Sequence, residues 1–160
     1  MQVELIQADY HNEKHGKDLV MLLNAYALDP MGGGEALADD VKENLVATLA
    51  SRNDFLTLLC YVDGKPAGIL NCVEGFSTFK CKPLLNIHDC GVLQEYRGLG
   101  LSQKLFIKAE EISRKRGYCK LTLEVLQGNV VAQNAYKKLG FTGYELDEKN
   151  GQAMFWEKVL

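Results

Sequence analysis

The chain has 160 residues, 47% of them hydrophobic, enough for one domain with a substantial core. Its 18 basic against 21 acidic residues leave a net charge of −3, which argues against a nucleic-acid or anionic-lipid partner and leaves room for a cationic substrate. No apolar run approaches the roughly 18 residues of a membrane span, and the opening MQVELIQADY carries acidic residues where a signal peptide has basic ones, so the expectation is one cytoplasmic domain, residues 1–160.

Residues 2–6 alternate weakly and predict a first strand, and residues 15–28 place Leu19, Leu22, Leu23 and Tyr26 at helical spacing. DPMGGGE, residues 29–35, breaks that helix with a proline and three glycines and predicts a mobile loop. Residues 39–50 resume a helix through Val41, Leu45, Val46 and Leu49. Residues 55–62 and 67–76 read as strands joined by Asp63-Gly64, a pair that supplies the positive φ angles of a tight hairpin turn. Residues 84–93 predict the next strand. Residues 101–116 carry Leu101, Leu105, Ala109 and Ile112 on one face, end in basic residues and stop at Gly117, which makes this the clearest helix of the chain. After a short strand at 121–125, Ala132, Ala135, Tyr136 and Leu139 share one face of a further helix, closed by Gly140 with Phe141 folding back on it. Residues 142–146 and 153–159 are expected to finish as two strands. The mixture predicts an α/β domain built around one sheet.

The side-chain inventory excludes some chemistry. Cys60, Cys72, Cys81, Cys90 and Cys119 are odd in number and lack C-x-x-C spacing, so free thiols are expected in place of a disulfide framework or zinc site. His11 and His15 are four apart without a third ligand nearby, and no metal is expected. The stretch EYRGLGLSQ is the richer signal. A strand that ends in a glycine turn and enters a helix presents unpaired backbone N–H groups at the positive end of a helix dipole, which is an anion site. The absent side chains at Gly98 and Gly100 admit a phosphate, and Arg97 supplies either a direct charge or an anchor for the turn. An ordinary tight turn remains the alternative for R-G-x-G by itself. The spacing fits neither a P-loop nor a Rossmann fingerprint.

Thirty residues on, EVLQGNVVAQNAYKKLGF adds a second constellation, and with it the chain resembles the GNAT family of N-acetyltransferases. The family's coenzyme A motif, Q/R-x-x-G-x-G/A, matches Arg97 to Ser102, with serine in the last small position. The motif N-x-x-A-x-x-x-Y-x-x-x-G-F matches Asn129, Ala132, Tyr136, Gly140 and Phe141 in full. The resemblance covers residues 55–145 specifically. It implies a mixed, mostly antiparallel sheet with a bulged central strand flanked by helices, and acetyl-CoA as co-substrate without a metal.

On the resemblance, the pyrophosphate would lie on the amides of Gly98, Leu99, Gly100, Leu101, Ser102 and Gln103. The pantetheine arm would pair with strand amides of Cys90, Gly91 and Val92, Gly91 suiting a bulge there. Asn129 would touch the pantetheine or cap its helix, with Ala132 beside it. Tyr136 stands where the family places the acid for the leaving thiolate, although its spacing also suits a core aromatic. Glu124, at a strand end, is either the base for the amine or a solvated structural glutamate. His88 and Asp89 are alternative relays; a carboxylate used by other members on this strand falls at Asn86 here. The implied reaction is direct acetyl transfer to a primary amine of a small molecule or peptide N-terminus, without a cysteine acyl-enzyme; the alternative is an acyl-CoA-binding module that does not turn over. Glu35, Asp39, Asp40 and Glu43 favour a cationic acceptor, with polyamine, aminoglycoside, amino acid and peptide all open. Neither nucleic acid nor membrane is expected as a partner, and a homodimer is compatible with the resemblance.

Overall fold

The structure, a computed structural model, describes residues 1–160. By internal contacts the chain forms two compact units, Met1–Leu123 and Glu124–Leu160. The first holds β1 (Val3–Gln7), α1 (Glu13–Leu28), α2 (Asp39–Ala50), β2 (Phe55–Val62), β3 (Lys65–Ser77), β4 (Lys82–Val92), α3 (Leu101–Lys115) and β5 (Leu121–Leu123); the second holds α4 (Val130–Lys138). The sheet has the order β1-β2-β3-β4-β5, antiparallel throughout except for the parallel pair β4 and β5. This is the α/β class with the mixed, mostly antiparallel sheet that the sequence predicts.

Local chemistry sets the elements. The Asn12 side chain accepts from the amides of Lys14 and His15 and starts α1. Asp63 (φ 48) and Gly64 (φ 77) make the hairpin turn between β2 and β3. Leu19 and Leu22 of α1 and Leu49 of α2 join Leu59, Tyr61 and Ile69 in a buried cluster on one sheet face. On the other face Leu101, Leu105, Phe106 and Ala109 of α3 are buried, and a Cβ built at Gly68 would lie 3.5 Å from Leu105 Cδ1. Each leucine so buried contributes roughly 1.5–3 kcal/mol.

The DPMGGGE segment contains a bonded turn: Pro30–Gly32 is a 3-10 helix capped by the Asp29 side chain, and the Gly34 amide donates to Ala27 O at 2.9 Å. Two expectations are corrected. The bulge of β4 falls at His88, since Asn71 pairs with Asp89 and Cys72 with Ile87, while Gly91 pairs regularly with Ile69. The two terminal strands reduce to one bridge, Glu145 with Gln152, plus a bond from the Ala153 amide to Tyr144 O. Tyr144, Leu146, Phe155 and Trp156 are exposed there. A two-stranded hairpin that does not bury its apolar side chains is marginal, so alternation alone does not extend the ladder.

Candidate active site

The site in the larger unit begins where β4 outruns its parallel partner. β5 pairs only with Leu85, Asn86 and Ile87, and β4 continues past the His88 bulge to Val92. Leu93 donates its amide to Ala67 O at 2.9 Å. Successive strand amides point to opposite edges, so the Gly91 amide also faces β3, and those of Cys90 and Val92 face the edge that β5 has left. Gly91 has a packing reason of its own: a Cβ there would meet Tyr26 Cβ at 3.0 Å, so the missing side chain lets α1 approach β4.

The chain then makes a 3-10 turn, Gln94–Tyr96, and reaches Arg97. Arg97 is an anchor. Its Nε donates to Val92 O at 3.2 Å and its guanidinium pairs with Asp29 at 2.7 Å, which ties the glycine turn to the end of α1. The Met31 amide, and after it Arg97, hold the Asp29 carboxyl below its ordinary value. Gly98 (φ 80) and Gly100 (φ 72) adopt left-handed conformations, and nothing lies within 4 Å of a Cβ built on either. Gly100 is the N-cap of α3 and offers no side chain to its first turn, which also lacks acidic residues, whereas Arg114 and Lys115 occupy the last turn. No loop bond uses the amides of Gly98, Leu99 or Gly100, and the first helical residues, Leu101, Ser102 and Gln103, have no acceptor within a helix. The outcome is a row of N–H groups without chain acceptors at the positive end of a helix fixed by buried Leu101. These residues fit a pyrophosphate, and the edge amides of Cys90 and Val92 fit the amide-bearing arm of coenzyme A.

The smaller unit carries the other sequence candidates. Glu124 is exposed at its start. Asn129 caps α4, its Oδ1 accepting from the Ala132 amide at 3.1 Å. Tyr136 is half-buried and meets Phe141 edge to face at 6.1 Å between centroids; the Phe141 amide returns to Tyr136 O at 3.0 Å across Gly140 (φ 89). The fold-back of Phe141 is thus as the sequence predicts.

The electrostatics disfavour thiol chemistry. Burial, then Asp89, pushes the Cys90 thiol up to about 12, and burial, then Cys90 and Asp89, pushes Cys72 up to about 12. Neither is a thiolate at neutral pH. Burial, then Asp89, Cys90 and Asp29, raises the Tyr26 phenol. His88 stands exposed on the bulge. No group of three or more His, Cys, Asp and Glu side chains is placed to hold a metal ion, and no helix is long and apolar enough to cross a membrane.

Sequence reasoning missed the packing of Tyr26 on Gly91 and the pairing of Asp29 with Arg97, and it passed over Thr57 and Asn71, whose buried side chains bond to each other. Thr57 and Asn71 did leave a signal, being single polar residues inside the apolar runs FLTLLCYV and AGILNCV.

Comparison with known proteins places this architecture. An uncharacterized N-acetyltransferase of Methanocaldococcus jannaschii is 33% identical over 99 residues, 61% of this chain and 44% of its own length. The thialysine N-epsilon-acetyltransferase of Bos taurus is 34% identical over 99 residues, 58% of this chain and 55% of its own. The match therefore spans about half the length of these curated relatives. Among solved structures, an aminoglycoside acetyltransferase from an uncultured soil metagenomic sample, in complex with trehalose, superposes with a TM-score of 0.79 at 18% identity, covering 99% of this chain and 96% of that one. AAC(6')-Iy in complex with the bisubstrate analog CoA-S-monomethyl-acetylneamine superposes at 0.75 with 16% identity, covering both chains completely. At such identities these structures establish the likeness of fold. The family model described as Acetyltransferase (GNAT) family matches residues 19–141, well over half of the chain, and the protein belongs to that family.

Proposed function

We propose that the protein transfers an acetyl group from acetyl-CoA directly to a primary amine of a small molecule or peptide. The observation that carries the reading is the glycine turn before α3. It presents left-handed Gly98 and Gly100, an N-cap without a side-chain bond and a first turn without acids, beside the open β4 edge. On this reading the amides of Gly98 to Gln103 hold the pyrophosphate and the Cys90 and Val92 amides hold the pantetheine. Arg97 keeps the turn in place through Val92 and Asp29. Acetyl-CoA supplies an activated thioester.

This chain's residues supply the rest. An alkyl amine has a pKa near ~10, so at neutral pH about one molecule in a thousand is nucleophilic unless a base removes its proton. We assign that role to Glu124. The Tyr136 hydroxyl donates the proton that the departing thiolate needs, and Asn129 holds the start of α4. Thioacyl relay through cysteine is disfavoured by the raised thiols of Cys72 and Cys90. The thialysine and aminoglycoside acetyltransferases among the similar proteins bear names that denote amine acceptors, which supports the reaction class.

The test is a thermal-shift screen with coenzyme A, acetyl-CoA and ATP, followed by thiol release against a panel of amines. Stabilisation by the first two alone, with thiol release, is expected. Tyr136→Phe should lower turnover by ~10²–10⁴-fold and Glu124→Gln by about 10²-fold, each with acetyl-CoA affinity retained. Stabilisation by acetyl-CoA without thiol release for any amine would leave a binding module in place of an enzyme.

A further inference from the structure

The sheet face covered by α1 carries one polar row. Thr57 of β2, Asn71 of β3 and Asp89 of β4 are direct cross-strand neighbours. Thr57 is 0% and Asn71 2% exposed. Thr57 Oγ1 donates to Asn71 Oδ1 at 2.7 Å, and Asn71 Nδ2 donates to Asp89 Oδ2 at 3.0 Å. Behind them, the Tyr10 hydroxyl donates to Thr57 Oγ1 at 3.1 Å. The row has a direction: an amide that accepts on one side must donate on the other, so Asp89 at its end acts only as an acceptor. An amide side chain does not pass protons along, so the row orients rather than conducts. What it orients is the Asp89 carboxylate.

Asp89 itself lacks the usual compensation. It is half-buried, yet every ion pair of the structure uses other carboxylates, and its Oδ1 makes no hydrogen bond. Acidic groups withdrawn from water are normally paired. Beside it stands Tyr26, which packs on Gly91 two residues further along the same strand face. A fixed carboxylate next to an aromatic ring is a receptor for an organic cation. One residue away, the Cys90 amide faces the open edge where the acyl donor is assigned.

We propose that Asp89, held by Asn71 as its positioning residue, receives a cationic group of the acceptor, and that this is a second ammonium rather than the nitrogen to be acetylated. The base for the reacting nitrogen is already assigned to Glu124, and Asp89, held in place by Asn71, is left to fix a cationic nitrogen that is not acetylated. The acceptor class is then a molecule with at least two cationic nitrogens. This inference rests on the acetyl-transfer reading and narrows its substrate.

The experiment compares 1,4-diaminobutane with butylamine, acceptors of equal chain length, by thiol release from acetyl-CoA. The wild type should favour the diamine by about tenfold or more in kcat/KM, as expected for a charge-assisted hydrogen bond. Asp89→Asn should remove that preference by raising KM for the diamine about tenfold more than for butylamine, with acetyl-CoA affinity retained. Thr57→Val, nearly isosteric and with one donor fewer, should weaken the preference in the same direction even if Asn71→Ala fails to fold. Equal losses for both acceptors in Asp89→Asn, or a wild type that acetylates both alike, would overturn the inference while leaving acetyl transfer intact. Absence of acetyl-CoA binding and of turnover with every amine would instead overturn the transfer reading, and this inference with it.

Discussion

Two glycine-rich turns face each other across the Asp29 and Arg97 ion pair, and they use glycine for opposite purposes. In the turn after α1 a Cβ at Gly32 would lie 2.0 Å from Tyr26 O, and the Gly34 amide is taken by Ala27 O and Asp29 O. In the turn before α3 nothing of the chain lies within 4 Å of a Cβ at Gly98 or Gly100, and no loop carbonyl takes the amides of Gly98, Leu99 or Gly100. The first turn spends Gly32 on fitting against itself and the Gly34 amide on bonds to its own carbonyls. The second leaves room and donors for something that is not part of the chain. Composition alone does not distinguish them.

The largest expected effect strikes the self-filled turn. Gly32→Ala forces a methyl into the Tyr26 carbonyl, and the helix end or the turn must move. The cost should be about 3 kcal/mol, the upper part of the range for overpacking, read from urea unfolding. Acetyl-CoA affinity per folded molecule should change far less. A neutral Gly32→Ala would show that the turn yields and that the contrast between the two turns is only apparent.

A matched pair sharpens the comparison. Gly34 (φ 79) and Gly100 (φ 72) share a left-handed conformation, and neither has a neighbour within 4 Å of a built Cβ. Alanine at either position should therefore cost a similar ~1–2 kcal/mol of stability from backbone strain. Only Gly100→Ala should also weaken acetyl-CoA, by about tenfold or more, equivalent to ~1.4 kcal/mol. Equal affinities in the two variants would reduce the second turn to a turn.

The same contrast marks what the sequence made legible. Periodicity and end signals were enough for α3, from Leu101 to the stop at Gly117, and for the Asp63-Gly64 hairpin, because those features are local. The glycine turn between β4 and α3 was legible for the same reason, although the left-handed conformation of Gly98 and Gly100 was not. Features that depend on which strand residues meet across the sheet were not. The bulge fell at His88 rather than Gly91, since register follows pairing with β3 and not the residue's own conformational freedom. Gly91 serves the approach of Tyr26, a residue 65 positions earlier in the chain. The Thr57, Asn71 and Asp89 row is likewise invisible until three strands are set in register. The two terminal strands were over-read because alternation describes a face without supplying anything to cover it.

The link between the turns can be cut by pH. Asp29 has a folded-state pKa below its unfolded value, so its stabilisation is complete above the ordinary carboxylate range, near ~4, and is lost as pH falls through the lower folded value. Asp29→Asn should cost about 1 kcal/mol or less near neutral pH, because Arg97 is largely exposed and water screens the pair. The urea midpoints of wild type and Asp29→Asn should converge in acid and remain parallel above about pH 5. A gap that persists unchanged into strong acid would mean the Asp29 carboxylate does not hold the turns together.

The smallest effect is the most discriminating, because stability and affinity should move in opposite directions. Gln103 is exposed in the third position of α3, and the first turn of that helix contains no acid. A negative charge at a helix N-terminus ordinarily stabilises by about 0.3–1 kcal/mol. Gln103→Glu should therefore raise the unfolding midpoint slightly. It also sets a carboxylate beside the amides assigned to the pyrophosphate, so acetyl-CoA affinity should fall several-fold, and the loss should shrink as salt screens the repulsion. An ordinary helix start would gain stability and leave acetyl-CoA untouched. The absence of acids from this turn would then follow from nothing more than chance composition, and the N–H row would no longer be evidence for an anion. A gain in stability paired with a salt-sensitive loss in affinity instead requires a negative ligand at the helix end, which the turn after α1, with its Gly34 amide already bonded, has no means to bind.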